Sequence, residues 1–171
     1  GDDKEKAAEA AHLMVDAHSM LDKMIRARER GYVSYVHVEG FHEVNASAGR
    51  KIGDRVIYEV GRRMEESVGR NGIVFKIEGA EFGMILHEKT GYREIVDDVI
   101  VGLARPVEIS NGEVNMSFFL SAYAGIAEFI DKNVTAEDVM QRADVAMNYA
   151  VNTEGIRVCT YNEALRDQVA R

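Results

Sequence analysis

The chain has 171 residues, 46% of them hydrophobic and 29% charged, which fits one ordinary soluble domain with a real core. Its net charge of -8 excludes the basic stripe that nucleic-acid binding needs, and no apolar run reaches the roughly 18–20 residues of a membrane span. The single cysteine, Cys159, excludes an internal disulfide or a thiolate cluster and suits a reducing cytoplasm, where the domain is expected.

Residues 4–30 read as a helix, with Met14, His18, Leu21 and Ile25 at helical spacing and Met20 and Met24 beside them. Lys23, Arg26, Arg28 and Arg30 suit the negative end of its dipole, and Gly31 is expected to cap it. Tyr32 to Val38 is β-branched and aromatic, so it predicts a strand, broken by Gly40. A short helix is expected over Phe41–Ala48, ended by Gly49. A long amphipathic one follows Gly53-Asp54, with Val56, Val60, Met64 and Val68 on one face.

Ile73–Ile77 and Glu81–His87 predict a hairpin turning at Glu78-Gly79-Ala80. A third helix is expected over Tyr92–Leu103. Pro106–Ile109 and Val114–Phe118 flank Asn111-Gly112, a second hairpin signal, and Phe119–Glu128 reads as a further strand. Thr135 is expected to cap a helix packed through Val139, Met140, Ala143 and Met147. Ile156–Tyr161 predicts a last strand before a polar, weakly helical tail. Mixed elements with hairpins exclude a purely parallel sheet. No P-loop or Rossmann glycine loop is present.

Four stretches carry a resemblance. Val38-Glu39-Gly40-Phe41-His42-Glu43-Val44-Asn45, continued by Gly49 and Gly53-Asp54, is similar to the pattern D-x-D-x-F-K-x-x-N-D-x-x-G-H-x-x-G-D. Phe75-Lys76-Ile77-Glu78-Gly79-Ala80-Glu81-Phe82 resembles a hairpin A-R-x-G-G-D/E-E-F. Ala124-Gly125-Ile126-Ala127 and Gln141-Arg142-Ala143-Asp144-Val145-Ala146-Met147 resemble S-I-G-I-A and R-A-D-x-A-L-Y. Together, in this order, they resemble a bacterial GGDEF domain, the diguanylate cyclase fold, over about residues 32–161. The resemblance implies an α/β (α+β) domain, nucleotidyl cyclase-like, with a mainly antiparallel central sheet wrapped by helices. The expected division is 1–31, an N-terminal helix leading in; 32–161, the GGDEF-like domain; and 162–171, a tail or linker to a further domain.

By the same resemblance, such a domain holds GTP, and two domains of a dimer join their nucleotides into cyclic di-GMP. Chemistry of this kind needs positioning and divalent cations held by hard oxygens. The places of the two carboxylate ligands hold His37 and Ala80 here, and the first signature glycine is Glu78, which brings bulk and negative charge. Of the signature Glu78, Gly79, Ala80, Glu81 and Phe82, the residual catalytic candidate is Glu81, read either as an activating carboxylate or as a solvated turn residue. The phosphate-side lysines are replaced by His42 and Val151, the matching arginine falls near Gly155, and Arg157 is close in sequence. Phe41, Asn45 and Asp54 match the nucleotide-binding places. For Asn45 and Asp54 a helix-terminal role, with Asp54 capping, is the other reading. The product-inhibition motif R-x-x-D falls on Gly69 and Gly72, with Arg70 one place away.

No magnesium site is expected. Mg2+ or Mn2+ enters only with GTP, with His37 and Glu81 as its doubtful ligands. A zinc-suited cluster of His37, Glu39, His42 and Glu81 is a repurposing alternative. The leading expectation is a degenerate, catalytically inactive GGDEF domain of cyclic di-GMP signalling that senses GTP or acts as a regulatory or dimerisation module. The alternatives are an active diguanylate cyclase with atypical metal ligands and a pure protein-interaction module. Expected partners are GTP, a second copy of the domain, and an EAL or sensor domain in a longer chain that can be membrane-anchored elsewhere. Nucleic acid and direct membrane contact are not expected.

Overall fold

The computed structural model describes residues 17–110, 112–131 and 133–169. Its first helix, α1, covers 17–26. The chain then turns at Arg28, whose φ of 62° is left-handed; Glu29 N–H donates to Met24 O at 2.9 Å and Arg28 N–H to Ile25 O at 3.0 Å. That is a Schellman closure made by an arginine. The helix therefore stops short of residue 30, and Gly31 is not its cap. Gly31 opens strand β1 (Gly31–Glu39), where a side chain would strike the Leu86 carbonyl and the Phe129 ring. Met14 and the rest of the expected helix start lie outside the described residues.

Helices α2 (Phe41–Ala48) and α3 (Arg50–Val68) follow as a tight pair. Gly49, at φ 87°, ends one and starts the other: its N–H donates to Asn45 O, and its own carbonyl accepts from Gly53 N–H, both at 3.0 Å. The long helix thus begins before Gly53-Asp54, and Asp54 sits in its second turn rather than capping it. Glycine reads as a breaker in sequence. Here Gly53 lies inside the helix and makes room for the Asn45 side-chain oxygen, which a Cβ would have to displace.

The remaining elements are β2 (Gly72–Glu78), β3 (Glu81–His87), α4 (Tyr92–Leu103), β4 (Val107–Ser110), β5 (Asn115–Phe118), β6 (Ser121–Phe129), α5 (Ala136–Val151), β7 (Val158–Thr160) and α6 (Glu163–Val169). The expected strand from Phe119 starts later, because Phe119 and Leu120 form the link that carries the chain from one sheet to the other. The last strand is shorter than expected, since Ile156 is held in a turn by its N–H bond to Thr153 O at 3.3 Å. Thr135 caps α5 as expected, in a reciprocal box with Asp138. Asn162 caps α6 by accepting the Leu165 N–H at 2.8 Å. Gly112 turns the β4–β5 ribbon at φ 98°, while Asn111 lies outside the described residues.

The main sheet has the order β2-β3-β1-β6-β7; every neighbouring pair is antiparallel except β6–β7. Alternation along β1 sends Val36 and Val38 to one face and Val33 and Tyr35 to the other. The first face meets α2, α3 and α4 through Val44, Val56, Val60 and Val96; the second meets α1 and α5 through Leu21, Val139 and Met147. This is a mixed α+β domain with a mainly antiparallel sheet between helical layers, as expected. The approach of α5 to β6 depends on Gly125, where a Cβ would overlap backbone atoms of Met147, Ala143 and Ala146.

Candidate functional site

Pairing register brings the candidates to one end of the sheet. On β1, His37 lies opposite Glu81 of β3 on one side and Tyr123 of β6 on the other. His37 Nδ1 is 3.7 Å from Glu81 Oε1, and both side chains are more than two-thirds shielded, at 27% and 29% exposed. Beyond β6 in the sheet, Arg157, the residue before β7, presents its carbonyl to Ala124 N–H at 2.8 Å and its guanidinium over the Tyr123 ring at 4.6 Å. Glu81, His37, Tyr123 and Arg157 therefore form a row across the sheet.

The hairpin is fixed by its own chemistry. Gly79 takes the left-handed turn at φ 51°. Lys76 donates from Nζ to Gly79 O at 2.6 Å and lies over the Phe82 ring at 5.4 Å. Val38 N–H donates to Ala80 O at 2.9 Å, which locks the turn onto β1. The Ala80 methyl packs against the apolar cluster that contains Val38 and Phe41. The signature position that the resemblance gives to a metal-binding carboxylate is thus occupied by a packed methyl group. Lys76 is thus engaged with the turn.

Three carboxylates, Glu78, Glu81 and Asp144, dominate the electrostatics around the hairpin. Burial pushes the Glu81 carboxyl above its usual range; Asp144 adds to this, His37 partly offsets it, and Glu78 adds again. Burial also raises Asp144. Tyr35, on the same face, is pushed up to about 12 by burial, with Asp144 and Glu81 contributing. Burial lowers the Lys76 ammonium, against the pull of Glu78 and Glu81. A polyanion arriving here meets the carboxylates of Glu78, Glu81 and Asp144, with the Arg157 guanidinium over Tyr123 as the cation of the row. Asp144 and Tyr35 were not among the sequence-level site candidates. The available signal was the spacing of Asp144 beside buried Ala143 and Met147, which turns it towards the sheet.

The donor set does not fit magnesium, which takes hard oxygens: one position offers imidazole and the other a methyl group. The zinc-suited cluster is also corrected. Among the described residues no three His, Cys, Asp or Glu side chains gather as a metal requires. His37 and Glu81 are adjacent, Glu39 is an exposed residue at the end of β1, and His42 is exposed beyond the turn at Gly40, whose φ is 114°.

The nucleotide candidates separate. Asn45, on α2, sits against Gly53 of α3, one residue from Asp54. Phe41 is turned into the core at 6% exposed. Gly69 takes φ 53° in a short turn with exposed Arg70. Gly72 opens β2, where a side chain would strike the Ile85 carbonyl.

A mainly antiparallel sheet between helical layers, with a signature hairpin docked on its central strand, defines a nucleotidyl cyclase-like domain. The chain belongs to the GGDEF family, whose model, described as "Diguanylate cyclase, GGDEF domain", matches residues 9–156. It is 25% identical over 147 residues to the bifunctional diguanylate cyclase/cyclic di-GMP phosphodiesterase MucR of Pseudomonas aeruginosa, covering 85% of this chain and 21% of MucR. It is 27% identical over 144 residues to the probable diguanylate cyclase DgcE of Escherichia coli, covering 83% of this chain and 13% of DgcE. The chain therefore spans a small part of these relatives. The fold is shared with the GGDEF domain of TpbB (YfiN) from Pseudomonas aeruginosa at a TM-score of 0.77 and 22% identity, covering 94% of each chain. It is also shared with the active GGEEF domain of a Vibrio cholerae diguanylate cyclase at a TM-score of 0.69 and 18% identity, covering 87% of this chain and 94% of that one. Among the described residues no helix is long and apolar enough to cross a membrane.

Proposed function

We propose that this GGDEF domain does not turn over GTP and serves cyclic di-GMP signalling as a regulatory module, sensing GTP or holding a dimer. The observation that carries the reading is the pair of substitutions at the hairpin end of β1: a partly buried methyl group packed against the core at Ala80 and an imidazole, His37, held 3.7 Å from Glu81. Two-carboxylate binding of a divalent cation has no counterpart in that pair. The neighbouring carboxylates of Glu78, Glu81 and Asp144 further oppose a triphosphate. The Asn45 side chain lies against Gly53, the residue before Asp54, which supports retained recognition of a guanine edge. The partner within a longer polypeptide is an EAL or sensor domain, consistent with the two activities in the name of MucR. The domain itself lies in the cytoplasm, on an anchored or free parent protein.

The test is calorimetric titration with GTP, in magnesium and then in manganese, with the same sample assayed for cyclic di-GMP. Binding without product is the expected result. Product formation would refute the inactive reading in favour of a cyclase with atypical ligands. A folded protein with neither would leave the interaction role without GTP sensing. Restoring His37→Asp, Glu78→Gly and Ala80→Asp together is expected to strengthen metal-dependent GTP binding, and failure to do so would overturn the assignment of these positions.

A further inference from the structure

An open cleft of about 600 Å3 lies between α2, which lines it with Glu43, Val44 and Ser47, and the link joining β5 to β6. Gly40 lines it at close quarters: a Cβ there would come within 2.7 Å of a Leu120 methyl and 3.2 Å of the Phe119 carbonyl, at a φ of 114°. Glu39 and Glu43 supply carboxylates, and Ser47, Ser117 and Ser121 line the cleft with them. Phe119 stands at its edge, 75% exposed, the most exposed large apolar side chain among the described residues. No lysine, arginine or histidine lines the cleft, and among the described residues neither Glu39 nor Glu43 has an ion-pair partner.

The local charge does not balance internally. The N-terminus of α2 contributes about half a positive charge, against two carboxylates. More than one negative charge is left facing solvent beside a bare aromatic ring. Carboxylates flanking a phenyl face are the groups that receive an ammonium or guanidinium, through ion pairing and cation–π attraction. Sites for small molecules bury most of the ligand's surface. An open cleft with its aromatic ring three-quarters exposed needs an occupant that brings its own cover.

We propose that this cleft is a docking site for a protein segment carrying an arginine or lysine beside an apolar residue, the cation seated between Glu39 and Glu43 and the apolar side chain on Phe119. None of His37, Glu81, Asn45 and Asp54 lines this cleft, although Glu39 lies two residues beyond His37 on β1.

The test titrates the peptide acetyl-Leu-Arg-Arg-Leu-amide into the 15N-labelled 171-residue chain and follows backbone amide shifts. Expected are shifts confined to 39–47 and 117–121, weakened about fivefold by Glu39→Gln with Glu43→Gln and again by raising salt, and lost in Phe119→Ser. Unchanged spectra, shifts centred elsewhere, or an equal response to acetyl-Leu-Glu-Glu-Leu-amide would overturn the proposal. So would equal binding by arginine amide alone, which would make the cleft a site for a small organic cation. The variants are surface substitutions, and their own unperturbed spectra would show that each is folded.

Discussion

Arg63 offers a sharp test of how this fold is tied together, because its neighbour Arg62 provides the control. Arg63 emerges from α3 with its side chain 11% exposed. Its Nη1 donates to Gly102 O at 3.0 Å and to Arg105 O at 2.7 Å, its Nη2 to Pro106 O at 2.8 Å, and its Nε to Glu59 at 3.2 Å. One guanidinium thus satisfies carbonyls at the end of α4 and in the connection to β4, where the helix dipole also favours a cation. Charge-assisted hydrogen bonds are worth roughly 1.5–3 kcal/mol each where water is excluded. Two of the three carbonyls are water-accessible once the side chain is gone, so Arg63→Ala is expected to cost about 2–4 kcal/mol rather than the sum.

For a domain of this size that lowers the melting temperature by roughly 5–15 °C. Arg63→Lys should recover less than half, since an ammonium cannot span three carbonyls set for a planar fork. Arg62 makes equally short bonds, 2.8 to 3.0 Å, to Glu59 and Glu66, but its side chain is 51% exposed. Arg62→Ala should leave the midpoint close to that of the parent, because exposed ion pairs contribute little. Urea denaturation followed by circular dichroism measures all three variants. If Arg63→Ala and Arg62→Ala cost the same, burial is not what makes the first arginine matter, and the reasoning is refuted.

Tyr35→Phe should flatten the alkaline loss of stability. The phenol is pushed from 10.0 to about 12 in the fold, so the folded state retains the proton longer; its contribution is intact below pH 10 and lost as pH rises through 12, a slope that equilibrium unfolding at pH 9, 10.5 and 12 would reveal. Ser34→Ala should stabilise by roughly 1 kcal/mol, since the hydroxyl is fully buried without a hydrogen-bond partner; a lower denaturation midpoint would contradict this. Gly125→Ala should destabilise by about 2 kcal/mol or more, because the methyl meets backbone of α5 rather than yielding side chains, and an unchanged midpoint would show that α5 can lift off β6 freely. Asp144→Asn should lower the Glu81 carboxyl towards its ordinary range by removing a neighbouring negative charge, readable by NMR titration of the Glu81 side chain.

Periodicity made the layers legible: Val56, Val60, Met64 and Val68 on α3, and the alternation of β1, are single-face patterns that only one packing satisfies. Local turn chemistry was legible at Thr135 and Gly79. Glycines were the weak point, because the sequence shows that a residue lacks a side chain but not whether the reason is conformational or steric. Gly53 and Gly31 serve close approach, at a helix and a strand, where punctuation was expected. The closure at Arg28 was hidden for the converse reason, since nothing about an arginine announces a left-handed backbone. Of the site, the hairpin and His37 could be placed by motif order. The row through Tyr123 to Arg157, and the pressure of Asp144 on Glu81, exist only after strands distant in sequence are paired.

That pairing has a kinetic meaning. β1 is the central strand, and its β6 neighbour lies far along the chain, with Gly31 set against Phe129. The β2–β3 hairpin can form early and offer β1 one partner, but the second edge stays open until residues 121–129 have emerged and docked. Contacts of such long separation are formed slowly. During synthesis the central strand therefore waits with one ladder of amides unsatisfied, and a nascent or truncated chain ending before β6 exposes the edge most prone to pairing with another chain.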